Sequence, residues 1–284
     1  MPFVFRTLIL VLIGLGTVLG LAEWRWRVST DDTQARLTRL GGSVPVAAPG
    51  RRRTLPPPVA RYFDRVLPTP PRQLRHVRII WTGEFNTGTP GADRWSRFDA
   101  EQDFFPGAPG MVWDAHIRMA PGLTVRVRDA LVAGEGSMRA SLLGLYTVAD
   151  RHGTPELAEA SLQRYLAEAV WLPEALLPEY GVRWDPVDDT RARATVRAGH
   201  ASASVEFRFG ADGLVSSASV PARLYDDGAS EPSMHPWQGR YLAWAHVGGA
   251  LVPSDAVVEW LLADGPFAYW RGRPVSIGDD DAAS

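Results

Sequence analysis

Asp114 and His116 stand two residues apart in a run that alternates apolar and polar side chains, so both leave one face of an extended strand. A carboxylate beside an imidazole can orient it as a general base, which a hydrolase acting on envelope material would need. The same pair also suits a polar strand face that is solvated or salt-bridged, and the spacing alone leaves both readings open. Arg118, Arg126 and Arg128 lie on corresponding faces of the same and the next alternating run as Asp114. If those runs pair, the four residues form a charged cross-strand patch. It reads either as a wet sheet face or as a site for an anionic head group at a cavity mouth.

Other chemistry is sparse. Gly134-Glu135-Gly136 lies between strand-like runs and lacks the rest of a dinucleotide fingerprint. The glycines near Ser137 and Ser141 make no nucleophile elbow. No His-Glu-x-x-His helix occurs, the six histidines are dispersed, and no metal or cofactor is expected. Cysteine is absent, which removes disulfides, thiolate nucleophiles and a lipidated cysteine anchor. All 30 basic residues are arginine and the net charge is −2. The arginines are scattered among acids, so nothing points to a nucleic-acid partner.

The eleven tryptophans say more. An indole brings a large apolar body and one N–H that needs a partner. Trp81, Trp95, Trp113, Trp237, Trp260 and Trp270, with Tyr165 and Trp171 from a helical stretch, are therefore candidate walls of a cavity for an acyl chain or other apolar ligand. An ordinary large core would use the same residues.

These side chains need elements to hold them. Residues 1–27 read as a transmembrane anchor: the apolar stretch from Phe3 to Ala22 is twenty residues, about 30 Å as a helix, and Trp24 and Trp26 follow at interfacial positions. Gly20-Leu21-Ala22 also fits a cleaved signal peptide. Residues 28–54, with Gly41-Gly42, Pro45, Pro49-Gly50 and Arg51-Arg52-Arg53, read as a tether with a short helix before Gly41. A β-rich domain is expected over 55–277, then a frayed acidic tail from 278 to 284.

Within that domain Pro57, Val59, Phe63 and Leu67 predict a short amphipathic helix. Period-two runs follow around 76–81, 95–104, 111–119 and 125–132, and again at 192–196, 203–209, 214–220, 239–247, 251–261 and 267–277. Asp212-Gly213, Gly248-Gly249 and Asp264-Gly265 supply turns, whereas Pro236-Trp237 reads as a loop. Between the two groups Thr154-Pro155-Glu156 caps a helix. Leu162, Tyr165, Leu166, Ala169 and Val170 form its dry stripe; Glu159, Gln163, Arg164 and Glu168 form its wet side. The fold class is α+β, mainly antiparallel, with nine or ten strands around one central helical insertion.

Several segments carry a family likeness. Leu55-Pro56-Pro57-Pro58-Val59-Ala60-Arg61-Tyr62, Gly110-Met111-Val112-Trp113-Asp114-Ala115 and Asp264-Gly265-Pro266-Phe267-Ala268-Tyr269-Trp270 are three of them. The most specific runs from Arg164 through Trp171-Leu172-Pro173. Over roughly residues 55 to 275 the chain resembles an uncharacterised bacterial family of membrane-anchored domains of unknown function. That likeness implies no catalytic residues. The strand–helix–strand order is similar to the curved open half-barrel of lipoprotein carriers of the LolA/LolB type, in which helices plug the open side of an apolar cavity. The carrier likeness implies an extracytoplasmic domain, although Arg25, Arg27, Arg36 and Arg39 after the apolar segment favour the opposite side. The expected partner is a membrane lipid or apolar small molecule; an enzyme or an interaction module of an envelope complex are the alternatives.

Overall fold

Side chains that alternate dry and wet give a strand one face to bury, and here the dry faces join into one surface. The computed structural model describes residues 2–41, 55–226, 231–247 and 249–279. It contains thirteen strands in a single open antiparallel sheet. They are β1 (Val77–Asn86), β2 (Trp95–Phe105), β3 (Gly110–Ala120), β4 (Leu123–Val132), β5 (Glu135–Leu142), β6 (Tyr146–His152), β7 (Arg183–Asp188), β8 (Arg191–Ala198), β9 (Ala201–Phe209), β10 (Val215–Tyr225), β11 (Ser233–Val247), β12 (Ala250–Leu262) and β13 (Gly265–Asp279). The spatial order is β6-β5-β4-β3-β2-β1-β13-β12-β11-β10-β9-β8-β7.

Two meanders are thus sewn together by their first and last strands. β1 pairs with β13 from Val77 opposite Asp279 to Phe85 opposite Trp270, with a bulge between Ile80 and Trp81. The backbones come so close that a Cβ on Gly83 would lie 2.2 Å from the Arg271 carbonyl oxygen. The sheet also curls along its length. The turn at Gly134, between β4 and β5, touches the turn at Ala198 and Gly199, between β8 and β9.

The chain crosses from edge strand β6 to edge strand β7 through helix α3 (Pro155–Glu168) and three short 3-10 turns. Thr154 Oγ1 accepts the Leu157 N–H and Pro155 occupies the first turn, as expected. α3 packs against β4 and β5 on one side and β8, β9 and β10 on the other, so it spans the gap between the two limbs of the curl. Gly136 on β5 is small because the Leu157 carbonyl lies 2.5 Å from where its Cβ would be. The stretch after α3 is pinned by satisfied polar groups. Trp171 Nε1 donates to the Pro253 carbonyl at 2.8 Å and Trp184 Nε1 to the Leu176 carbonyl at 2.9 Å. Fully buried Glu174 takes a two-pronged ion pair from Arg72, 2.7 and 3.0 Å. A second helix, α2 (Pro57–Val66), buries Val59, Tyr62, Phe63 and Val66 in the same core.

Three strands exceed the expected nine or ten: β5, β6 and β7. β5 is built of small and polar residues because α3 lies on it, and edge strand β6 is exposed nearly throughout. β7 carries Pro186 and buries only Trp184. Pro236-Trp237 lies within β11 rather than in a loop.

The N-terminal helix α1 (Pro2–Leu40) corrects the largest expectation. No helix among the described residues is long and apolar enough to cross a membrane, so a single-pass membrane protein is not supported. The expected membrane-anchored localisation is overturned with it. The helix does not stop at an interface. It continues through Glu23, Arg27, Asp31 and Asp32 and lies on the sheet's outer face against β2, β3 and β4. Trp26 is buried against the sheet at 5% exposure rather than placed in an aromatic belt, while Trp24 is exposed. Leu37 joins Phe105, Val112, Ala130 and Val132 in a small outer core. The proposed tether divides: 28–40 belongs to α1, and 42–54, including Arg51 to Arg53, lies outside the described residues, as does 280–284 of the tail.

Asp103 joins three elements beneath α1. It accepts from Gln34 of α1, from His76 Nε2 at 2.7 Å and from Arg78 Nε at 2.9 Å, while His76 stacks on Phe105. Burial would raise its pKa, but hydrogen bonds from His76 and Arg78 more than offset this and hold the carboxyl below its usual value. A lowered folded-state pKa gives stability that is present above the unfolded value, about pH 4, and lost as pH falls through the folded one. Asp103→Asn is expected to cost roughly 3 kcal/mol in urea unfolding at pH 7, with the gap to the parent closing below about pH 4.

Candidate functional site

The inner faces of β1, β3–β6 and β10–β13, closed by α3, leave a cavity of about 960 Å³. That is at the upper end of the roughly 300–1,000 Å³ typical of small-molecule sites. Five of the eight aromatic candidates line it: Trp113, Trp171, Trp237, Trp260 and Trp270. Their rings are fixed by neighbours. Trp237 Nε1 donates to Tyr269 Oη at 2.9 Å, and Trp260 stacks on Tyr269 with centroids 5.9 Å apart. Three candidates lie elsewhere. Trp81 sits behind the wall, edge-on to Trp171 and Trp270, with its N–H on Gln102 Oε1 at 2.7 Å. Tyr165 packs on Phe104 in the core, and Trp95 lies under the Arg271 guanidinium.

Against this apolar wall stand four charged groups that the sequence reading left out of the site: Asp129, Arg164, Glu168 and Arg223. The supposed wet side of α3 is in fact split, with Gln163 buried and Arg164 and Glu168 facing the cavity. Arg164 lies over the Trp113 ring at 4.9 Å, donates from Nε to Glu168 Oε1 at 2.7 Å, and pairs through Nη1 with Asp129. Gln102 Nε2 takes the other Glu168 oxygen at 2.6 Å. Burial opposes charge on Arg164, but Glu168 and Asp129 outweigh it and raise the guanidinium pKa. Asp129 is pushed up by burial despite Arg164, and among the described residues its Oδ1 has no hydrogen-bond partner. Arg223 is pushed down, chiefly by burial. A signal existed in β4, where Asp129 shares one strand face with Val125, Val127 and Leu131: a carboxylate on a dry face requires a cation.

Where lining residues are exposed, the cavity meets solvent. Arg151, His152 and Glu156 are such residues. There Arg151 of β6 reaches Asp226, just beyond β10, at 2.7 Å and ties one limb to the other.

The polar patch lies on the other side of the sheet. Asp114, Arg126 and Arg128 are the seat of α1, not a head-group site at a cavity mouth. Asp114 accepts from Trp26 Nε1 at 2.9 Å and from Thr30 Oγ1 at 2.8 Å. Arg126 pairs with Glu23 and approaches Asp114 at 3.3 Å, and both Arg126 and Arg128 lie over the Trp26 ring. Arg118 pairs with Asp99 at the exposed end. Asp114 is thus occupied by α1, and His116, whose pKa is lowered by burial and by Arg126, stands beside it; neither lines the cavity. A hydrolytic site built on this pair would lie beneath α1, away from the cavity. Among the described residues no cluster of acidic or histidine side chains could hold a metal ion.

Removing Arg164 leaves two carboxylates on the cavity wall without their cation. Arg164→Met is expected to lower stability by roughly 3 kcal/mol in chemical denaturation. Adding Asp129→Asn to it should return part of the loss, a non-additivity that a double-mutant cycle reads directly.

Comparison with known proteins gives a family but no activity. No curated protein matches the chain. Three solved structures show distant similarity. A DUF1329 family protein from Desulfovibrio piger aligns over 81% of this chain and 96% of its own at 14% identity and a TM-score of 0.41. A LolA superfamily protein from Nitrosomonas europaea covers 79% and 93% at 10% identity and the same TM-score, 0.41. A β-barrel-like DUF1849 protein from Brucella abortus covers 72% and 98% at 11% identity and a TM-score of 0.22. Residues 53–277 match one family model, and the chain belongs to that family, the family of unknown function DUF6920.

Proposed function

We propose that this protein is a non-enzymatic binder, and a carrier, of a lipid or another apolar ligand held in the tryptophan-walled cavity. One observation carries this reading: about 960 Å³ of space walled by Trp113, Trp171, Trp237, Trp260 and Trp270. A packed domain fills its interior at crystal-like density, and apolar space of this size is costly unless something occupies it. Rigid indoles offer a guest large contact area at little entropic cost. The α3 connection gives entry a physical route, since it bridges the two ends of the sheet, whose edge strands β6 and β7 do not pair with each other.

Gly239 supplies the test. It lies on β11 between Trp237 and Tyr241, lines the cavity, and a Cβ there would meet only Tyr241 Oη, at 3.9 Å. Gly239→Trp puts an indole into that space. The neutral probe N-phenyl-1-naphthylamine should brighten on binding the parent protein, and the variant should weaken its affinity by about tenfold or more at unchanged thermal stability. A parent that does not bind the probe, or a variant that binds it equally well, rules the cavity out as the site.

A further inference from the structure

We propose that Arg223 anchors an oxyanion, a carboxylate or a phosphate, at the head of the apolar ligand, which makes the ligand an anionic amphiphile. This rests on the cavity being the binding site and adds the class of molecule it takes.

The backbone is built to aim this residue. On β10, Ala218 and Val220 are buried on the inner face, and simple alternation would next turn residues 222 and 224 inward. A bulge between Val220 and Arg223 shifts the pairing with β11, sets Arg223 opposite His235, and brings the guanidinium to the cavity wall. There it lies over Trp237 at 5.0 Å and Trp260 at 5.5 Å, which fixes its plane.

Its donors are under-used. Among the described residues its hydrogen bond is a long one, from Nη2 to the Ala160 carbonyl at 3.3 Å; its Nε is closed off from the cavity, so the terminal nitrogens are the donors a ligand would meet. The two carboxylates nearby do not meet it. Both Glu168 oxygens are taken, by Arg164 and Gln102, and Asp129 pairs with Arg164. Arg164 holds both carboxylates in contact; Arg223 feels Asp129 and Glu168 without a hydrogen bond to either. A guanidinium presents five donors in a planar fork that matches an oxyanion in two-pronged geometry. A buried cation without a carboxylate partner is costly to hold, and an anionic ligand head would repay that cost. The indoles beside it would take the adjoining hydrocarbon.

Displacement of N-phenyl-1-naphthylamine from the full chain separates the possibilities. The competitors are dodecanoate, dodecyl phosphate and 1-dodecanol, with acetate and inorganic phosphate as heads without a chain. In the parent protein, dodecanoate or dodecyl phosphate should displace the probe at about tenfold lower concentration than dodecanol. Acetate and inorganic phosphate should not displace it. Arg223→Met should bring the anionic and neutral chains to equal potency, and Arg223→Lys should keep the preference. Equal potency of dodecanol and dodecanoate in the parent protein would overturn the assignment while leaving the cavity reading intact, and it needs no variant to fold. Displacement by the free anions would replace it with a simple anion site. A preference that survives in Arg223→Met would also overturn it. Absence of probe binding would instead be failure of the cavity reading itself.

Discussion

The pairing of the first strand with the last is the constraint on which the rest of the molecule depends. β1 and β13 are far apart in sequence, and their ladder turns two meanders of six and seven strands into one sheet. Because the joint is central, the chain's only way from β6 to β7 is between the two outer edges. The sheet curls, so that passage becomes a bridge across a gap, and the bridge is α3 with its three 3-10 turns. The cavity is what this geometry leaves inside: the limbs cannot collapse onto each other while α3 and the large indoles hold them apart.

The two faces of the sheet use charge differently. Outside, Asp114, Arg126 and Arg128 are matched by Trp26, Thr30 and Glu23, so charge serves to seat a helix. Inside, Arg164 is matched by Asp129 and Glu168, whereas among the described residues Arg223 donates to a backbone carbonyl and to no carboxylate. A protein selected only for a well-packed interior gains little from an arginine held against two tryptophans with no carboxylate hydrogen-bonded to it. The imbalance sits on the cavity wall, where a ligand can resolve it.

Much of the fold was legible because alternation is a direct record of one-sided burial. The runs that became β2, β3, β4, β9 and β12 show it, and Thr154-Pro155 marked the start of α3 through capping chemistry. β5, β6 and β7 left no such record, since close approach of α3 replaces bulk with glycine and alanine on β5, and edge strands bury little. Five cavity aromatics were named because indoles on strands are conspicuous. Trp81, Trp95 and Tyr165 were named for the same reason yet serve the core or the rim, since type and spacing do not tell the first layer of a wall from the second. Arg223 was invisible: only the bulge after Val220 turns it inward, and a bulge depends on pairing across strands. The apolar run before Ala22 was read without the docking of Trp26, Thr30 and Leu37 that follows it, and that docking ties the helix to the sheet.

The most direct measurement is native mass spectrometry of the full chain purified gently from cells that express it, followed by denaturation in the same instrument. A mass above that of the polypeptide, which falls away on unfolding as an acidic, chain-bearing molecule, is the expected result. A bare polypeptide mass that stays bare after incubation with a total lipid extract would contradict a ligand-holding cavity.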